Sequence, residues 1–537
     1  MRLSKTRLLN FLQCSKRLWL ETKRPELAEV SPATRALFDT GHRVGEIARK
    51  LYDNGTGIHI GASNNLTAAL KQTQALLTTS AGQSPRVGGQ GSLPLPLSGE
   101  GRGEGLLPLP LAGEGRGEGL LPLPQTGEGR GEGRPRVFFE ATFEHQGVLV
   151  RTDILEHSPT RTRLVEVKSS TKMKEEYTPD VAIQTWVLDG AGVRVNDIAL
   201  AHIDNQFTYR GNGNYAGLLT EEPIGDLARR IAPQVPEWTR RAQQVLAGSE
   251  PNIPVGTHCR TPYECPFISY CWPKTEYPLT ALPNLGPKLN EYVARGFRDL
   301  RDVPEEEVSG ETRLRVWRAT VANRPEIQPT LRDELRAIPY PRYYLDFETI
   351  SFAVPIWPGT RPYQVIPFQW SIHIEKSSGV LEHLDHIDLS GELPSRGVAQ
   401  ALLKALGGDG PILTYSNYER QCIQSLAQLV PTLADTLRAL EPRLVDLLPI
   451  IKRGYYHPAM RGSWSIKAVL PAVVPDLRYE NLGDVKEGDE AQRAYLEATS
   501  PRTSQERKDH LKASLLEYCR FDTHAMVHVM TQLSGNR

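Results

Sequence analysis

YYLDFETISF, residues 343–352, reads as a buried strand, and LLEYCRFDTHAMVHVM, residues 515–530, reads as a long helix. That strand-to-helix order suits an α/β domain, predicted over residues 341–537. Within the strand, Asp346 and Glu348 are two apart, so both side chains face one way. Within the helix, Tyr518 and Asp522 are four apart, so they share a helical face. Two strand carboxylates plus a helix carboxylate can hold two divalent ions about 4 Å apart, which activate water and stabilise a leaving oxygen. A tyrosine one turn before the aspartate can orient that water. A buried acid at a strand end beside an ordinary amphipathic helix explains each fragment taken singly.

Taken together, these fragments resemble the DEDD superfamily of 3′–5′ exonucleases, in the variant bearing Tyr-x-x-x-Asp. The resemblance implies a ribonuclease H-like fold, Mg²⁺ or Mn²⁺, and one more acid between the first and last motifs. Glu419 in TYSNYERQ fits by position, and Asp446 in RLVDLLPIIKRGYYHP is the close second. The block RGSWSIKAVLPAV adds Trp464 and Lys467, suited to base and phosphate contact. This C-terminal region also looks like a bacterial family of uncharacterised domains commonly fused to RecB-like nucleases.

Residues 276–340 read as helical. Within them, LTALPNLGPKLNEYVARGFRDLRDVPE (279–305) resembles a helix-hairpin-helix element, whose glycine amides can hold a DNA phosphate. A plain helical linker fits it as well.

Further upstream, RVFFEATFEHQGVLVRTDILEH (136–157) and TRLVEVKSS (162–170) are rich in β-branched and aromatic residues and predict strands. PDVAIQTWVLDGAG (179–192) then predicts a helix ending at Gly190 or Gly192. Glu166 and Lys168 are two apart and share a strand face, which Asp153 on the preceding strand can reach. An acid pair binds Mg²⁺ through oxygen, and the lysine beside it can position water or stabilise charge on a phosphorane. A salt bridge across two strands is the plainer account of the same residues.

With His42 on an upstream helix and Gln184 on the following one, the order His, Asp, Glu-x-Lys, Gln resembles the PD-(D/E)XK nucleases of the RecB-like branch. The resemblance makes His42 an additional metal ligand. It departs where that family has Tyr four positions after Gln184, since Leu188 stands there.

Cys259, Cys265 and Cys271 follow a Cys-x5-Cys-x5-Cys spacing, and Cys14 lies far upstream. Four thiols can carry an iron–sulfur cluster or a tetrahedral zinc ion. RecB-like nucleases of the CRISPR-associated and AddB types are similar in having one early and three late cysteines, which hold a [4Fe–4S] cluster. The resemblance implies such a cluster as a staple rather than a redox centre. It departs in the first gap, where those families usually have Cys-x2-Cys.

Composition narrows the remaining classes. Lys plus Arg and Asp plus Glu both number 63, which excludes a histone-like binder and makes any nucleic-acid surface local. The first 50 residues carry a basic excess, with Lys16 and Arg17 flanking Trp19, an arrangement suited to single strands. A solvated helix face accounts for the same charges. Six cysteines in 537 residues make no disulfide scaffold. No run of about 18 apolar residues predicts a membrane span, and the N-terminus lacks a signal-peptide pattern, so a cytoplasmic protein is expected. Units of 14 residues beginning at Leu93, Leu107 and Leu121 form a repeat; 19 of the 44 residues from Gly91 to Arg134 are Gly or Pro. Such composition predicts a disordered insertion.

The expected fold class is α/β: a restriction-endonuclease-like domain plus a ribonuclease H-like domain joined by a helical linker. The expected organisation is a RecB-like domain with its cysteines in residues 1–80 and 136–275, the insertion in 81–135, the linker in 276–340 and the exonuclease-like domain in 341–537. The expected activity is metal-dependent hydrolysis of DNA phosphodiester bonds, at ends or on single strands, in repair or defence. A nucleic-acid-binding adaptor with degenerate sites, or a ribonuclease, remains the alternative.

Overall fold

The strand Thr162–Lys168 carries Val165 and Val167 on one face and Glu166 and Lys168 on the other, and it runs through the middle of the first unit's main sheet. The computed structural model describes residues 2–61, 65–78, 135–377 and 379–535. Of the repeat insertion expected over 81–135, all but Pro135 lies outside the described residues. The protein is α/β, with two compact units: Met1–Leu9, Gly41–Asp204 and Tyr215–Gln243 form the first, and Asn10–Thr40, Asn205–Asn214 and Gln244–Arg537 the second.

The main sheet of the first unit has six strands in chain order: β1 (Ile58–His59), β2 (Arg136–Phe139), β3 (Ile154–His157), β4 (Thr162–Lys168), β5 (Asp197–Ile203) and β6 (Leu219–Pro223). β4 and β5 run parallel; the pairs on either side of them are antiparallel. A two-residue period sends Val165 and Val167 to one face, where they pack with Ala199, Ala201 and, from the helix Pro32–Tyr52, Ala48 and Tyr52. Leu164, Glu166 and Lys168 therefore face the other way. On that side lies the helix Thr178–Gly190, as predicted. A small second sheet pairs Leu3–Ser4 with Val148–Arg151, and Val148–Arg151 with Thr142–His145.

In the second unit, five strands stand in the order β9-β8-β7-β10-β11: β7 (Arg342–Ile350), β8 (Ile366–Ser377), β9 (Val380–Ile387), β10 (Ile412–Thr414) and β11 (Leu444–Asp446). β7, β8 and β9 form an antiparallel meander, and β10 and β11 add parallel to β7. Tyr343, Leu345 and Phe347 point into a core shared with the helices Ser395–Ala405 and Tyr418–Leu429. Burying each such side chain contributes roughly 1.5–3 kcal/mol. Tyr344, Asp346 and Glu348 face the opposite side, covered by the 30-residue helix Gln505–Ser534. A helix expected around residues 515–530 is thus longer at its N-terminal end, where Ser504 caps it by accepting from Arg507 N.

The stretch 276–340 is helical as expected, but it is no free-standing linker. Leu282, Tyr292, Leu300, Val316 and Leu335 share one hydrophobic core with Tyr344, Trp464, Val469 and Met526. The segment proposed as a helix-hairpin-helix holds two 3₁₀ turns, Leu279–Ala281 and Leu300–Asp302, and between them a seven-residue helix, Lys288–Ala294. The cysteine segment also groups with the second unit, not with the strands of the first. Gln13 Nε2 donates to the carbonyls of His258 and Tyr263, both at 2.7 Å, and Trp19 Nε1 to that of Gly248 at 3.1 Å. These bonds tie the early helices to residues 244–275.

Candidate functional site

In the first unit, the face of β4 opposite the apolar core presents Glu166 and Lys168, as the spacing predicts. Lys168 Nζ lies 2.7 Å from Glu166 Oε1 and 2.7 Å from Asp180 Oδ2. Gln184, one turn after Asp180, donates its amide to Glu166 Oε2 at 2.6 Å and to Asp180 Oδ1 at 2.9 Å. Its Oε1 is buried and accepts no hydrogen bond among the described residues. Asp153 sits in the bend just before β3 rather than within a strand, and accepts from Val167 N at 2.7 Å. Burial and the Glu166 charge raise Asp153 to about 7.

Two members of this site were not anticipated. Asp180 carries a legible signal, since it stands four residues before Gln184 on one helical face. Lys5 carries none, because its position follows from strand pairing of Leu3–Ser4 with Val148 and Leu149. Lys5 Nζ reaches Glu166 Oε1 at 3.1 Å and Asp180 Oδ1 at 2.7 Å. Burial disfavours its charge, yet Asp180 and Glu166 hold its pKa above the ordinary lysine value. Burial likewise opposes the charge of Asp180, but Lys168 and Lys5 keep it far below the usual carboxylate range.

The expectation for His42 is corrected. Its helix packs Ala48 and Tyr52 on the apolar face of the sheet, opposite Glu166, and His42 itself is exposed. An oxygen site for a divalent ion in this unit therefore rests on Asp153 and Glu166. Asp180 is a further carboxylate nearby, and the buried Gln184 carbonyl is an acceptor without a donor among the described residues.

The second unit gathers the other predicted set. Glu348, Glu419 and Asp522 are 7%, 5% and 8% exposed, and Asp346 is partly exposed. Burial raises the proton affinity of every one. Asp522, Glu348 and Glu419 raise Asp346 further; Asp522 does the same for Glu348. Glu419 stands at about 7 and Asp522 at about 6. For Asp522, burial is opposed by a hydrogen bond from Tyr479, by the Lys467 charge and by Tyr518. Among the described residues, ligand atoms of Asp346, Glu348 and Cys519 lie within 4.8 Å of one another. The two carboxylates of this group are hard oxygen donors that suit Mg²⁺ or Mn²⁺, whereas the thiol is a soft one.

Both candidates for the middle acid are present. Glu419 lies in the first turn of Tyr418–Leu429, is held by Ser416 Oγ at 3.2 Å, and acts on Asp346. Asp446 ends β11 and caps the next helix by accepting from Leu448 N at 2.9 Å. Asp446 in turn acts on Glu419, so both acids border the same centre. Tyr518 is buried one turn before Asp522. Tyr479 and Cys519 were not anticipated. Tyr479 donates to Asp522 Oδ1 at 2.5 Å, and Cys519 Sγ lies 3.5 Å from Asp346 Oδ2.

The residues expected to touch nucleic acid divide. Lys467 belongs to the acidic centre: its Nζ donates to the Lys486 carbonyl at 2.7 Å and lies 5.1 Å from the ring centroids of Tyr479 and Tyr518. Trp464 is corrected; it is 6% exposed, donates to the Tyr455 carbonyl at 2.8 Å, and is a core residue. Trp19 packs against the cluster of Leu20, Cys265 and Phe267. Lys16 pairs with Glu250 at 2.8 Å and Arg17 with Glu21 at 3.0 Å. Neutralised and half-buried, this trio does not present the open basic stacking surface expected of it.

All four predicted cysteines line one cavity, with Lys16, Arg17, His258 and Phe267. All are free thiols. Burial raises Cys259 and Cys265, and raises Cys271 to about 11. Four cysteine side chains lining one cavity form a donor set that could hold a thiolate-bound centre, whose binding would deprotonate them. Iron–sulfur and zinc remain the two chemistries this donor set accepts.

No curated protein matches the chain. Residues 343–465 match a family described as a domain of unknown function, DUF2779, a stretch that holds Asp346, Glu348, Glu419 and Asp446 but ends before Lys467, Tyr518 and Asp522.

Proposed function

We propose that this chain is a metal-dependent nuclease that hydrolyses phosphodiester bonds of DNA, with its principal centre at Asp346, Glu348, Glu419 and Asp522. One observation carries the reading: these carboxylates act on one another, with Lys467 as the cation acting on Glu348 and Asp522. Buried like charges are costly unless neutralised. Protons neutralise them in the metal-free state, and divalent cations do so at work. The sheet order β9-β8-β7-β10-β11 is compatible with the ribonuclease H-like fold that the resemblance implies. Mg²⁺ or Mn²⁺ would supply the activated water; Tyr518 would orient it and Lys467 would face the substrate phosphate. The first unit, read as restriction-endonuclease-like, would hold a second ion on Asp153 and Glu166. Among the described residues no helix is long and apolar enough to cross a membrane, which agrees with action in the cytoplasm. The four cysteines would carry a [4Fe–4S] staple.

The ion-pair lattice of the first unit favours a second reading for that centre alone. Both Glu166 oxygens are already engaged, by Lys5, Lys168 and Gln184. A site closed by its own lysines suits a nucleic-acid-binding role without cleavage. Labelled single strands incubated with wild type, Asp346→Ala and Lys168→Ala proteins across divalent metals test both readings. Loss of cleavage in Asp346→Ala alone supports one active centre. Equal, metal-independent inertness of all three proteins refutes the nuclease. Faster turnover of matched RNA would make it a ribonuclease.

A further inference from the structure

The sheet face that carries the acids carries a second convergence of side chains. Antiparallel register sets Tyr344 opposite His373 and His373 opposite His383, so both histidines share the face of Asp346. The helix Gln505–Ser534 brings His524 and His528, four apart and hence on one helical face, over the same strands. Ring centroids lie 4.6 Å apart for His373–His383, 5.3 Å for His373–His524 and 4.3 Å for His524–His528. The two Nε2 atoms of His524 and His528 are 3.2 Å apart. Nothing in the hydrolytic reading uses these four rings.

Their geometry is that of a nitrogen chelate. Two imidazole nitrogens on one tetrahedral zinc ion, each about 2.0–2.1 Å from the metal, sit about 3.3 Å from each other. Histidines four apart on a helix are the spacing that zinc-binding helices use. Hydroxyl groups fix the ring on the strand: Thr523 Oγ1 bonds His373 Nδ1 at 2.8 Å, and Ser371 Oγ lies 2.9 Å from Thr523 Oγ1. Such partners on the far ring nitrogen orient metal-binding imidazoles, and they leave His373 Nε2 to bind. Ser371 also bonds His383 Nε2 at 3.0 Å. The charged groups facing the cluster are Asp385, 3.8 Å from His383 Nδ1, and Arg520. His524 and His528 are half-buried, which leaves a path for an ion.

We propose that His524 and His528, with His373 as third ligand, form a binding site for a transition-metal ion of the zinc class, separate from the carboxylate centre. His373 stands further off than the helical pair, so loading draws its ring inward. The bound ion clamps the helix that carries Tyr518 and Asp522 onto β8.

The test uses the full chain equilibrated with Zn²⁺ in excess Mg²⁺, which occupies the oxygen sites. Zinc per chain is measured together with the zinc X-ray absorption spectrum. The double variant His524→Gln/His528→Gln is expected to bind one zinc fewer and to lose the imidazole scattering seen in wild type. Single His528→Gln, a milder change at a half-buried position, is expected to weaken that zinc at least tenfold and serves if the double variant misfolds. Asp522→Asn is expected to leave the zinc count unchanged. Equal zinc content and an equal spectrum in wild type and the histidine variants would overturn the proposal. Loss of the same zinc in Asp522→Asn would assign it to the carboxylates and overturn it too.

Discussion

The ammonium of Lys5 bridges Asp180 at 2.7 Å and Glu166 at 3.1 Å, reaching 161 positions along the chain to the latter. With Lys168 it closes a lattice of two cations and two carboxylates, braced by the Gln184 amide. Removing one member strands a partly buried charge. Lys5→Met is therefore expected to lower unfolding stability by roughly 3 kcal/mol, the scale of a broken buried pair, as read by urea denaturation. A change below about 0.5 kcal/mol would show that the pair is merely superficial.

Asp346→Asn is expected to separate stability from activity. In chelator it replaces a carboxyl group that burial and its acidic neighbours keep protonated with a neutral amide of similar shape, so the melting temperature should hold near neutral pH and rise only at alkaline pH. Cleavage should fall at least a hundredfold, because a metal ligand is lost. A variant that is both less stable without metal and fully active would contradict the assignment of Asp346.

Among the carboxyl groups whose folded values are raised, Asp153 and Glu419 stand at about 7 and Asp522 at about 6. Between their unfolded values near pH 4 and these folded values, the native state binds more protons than the unfolded chain. The metal-free stability that these three groups contribute is thus fully present below their unfolded values and is lost as pH rises through about 6 to 7. Metal binding needs the deprotonated acids, so Mg²⁺ affinity should climb over the same window. Denaturation in chelator at pH 5 and pH 8, beside Mg²⁺ titrations, checks both signs; stability that increases with pH in chelator would refute the crowding.

Anaerobically purified protein is expected to be brown and to contain iron and sulfide, with both lost in Cys259→Ser and in Cys14→Ser. Colourless protein holding one zinc per chain at these thiols would select the tetrahedral alternative.

Trp464→Ala is expected to cost about 3–5 kcal/mol, as large-to-small changes in a core do. Trp464→Phe should leave single-strand binding unaltered. A selective loss of binding in the phenylalanine variant would return Trp464 to the substrate surface.

Periodicity alone determined several features of this protein. Two-residue spacing put Asp346 with Glu348, and Glu166 with Lys168, on single strand faces, and four-residue spacing aligned Tyr518 with Asp522. Spacing in sequence likewise singled out Cys259, Cys265 and Cys271, with Cys14 as the distant fourth thiol. These are local matters, settled by backbone geometry within a few residues. Tertiary structure decided the rest. Lys5 enters the first site through a parallel strand pairing, Tyr479 reaches Asp522 from a 3₁₀ turn 43 positions away, and His42 is carried off by a helix packed on the opposite sheet face. Trp464 and Trp19 read as stacking residues until packing enclosed them. Which face of a sheet a helix covers depends on burying apolar area across the whole unit, and that sum is not written in any short stretch of chain.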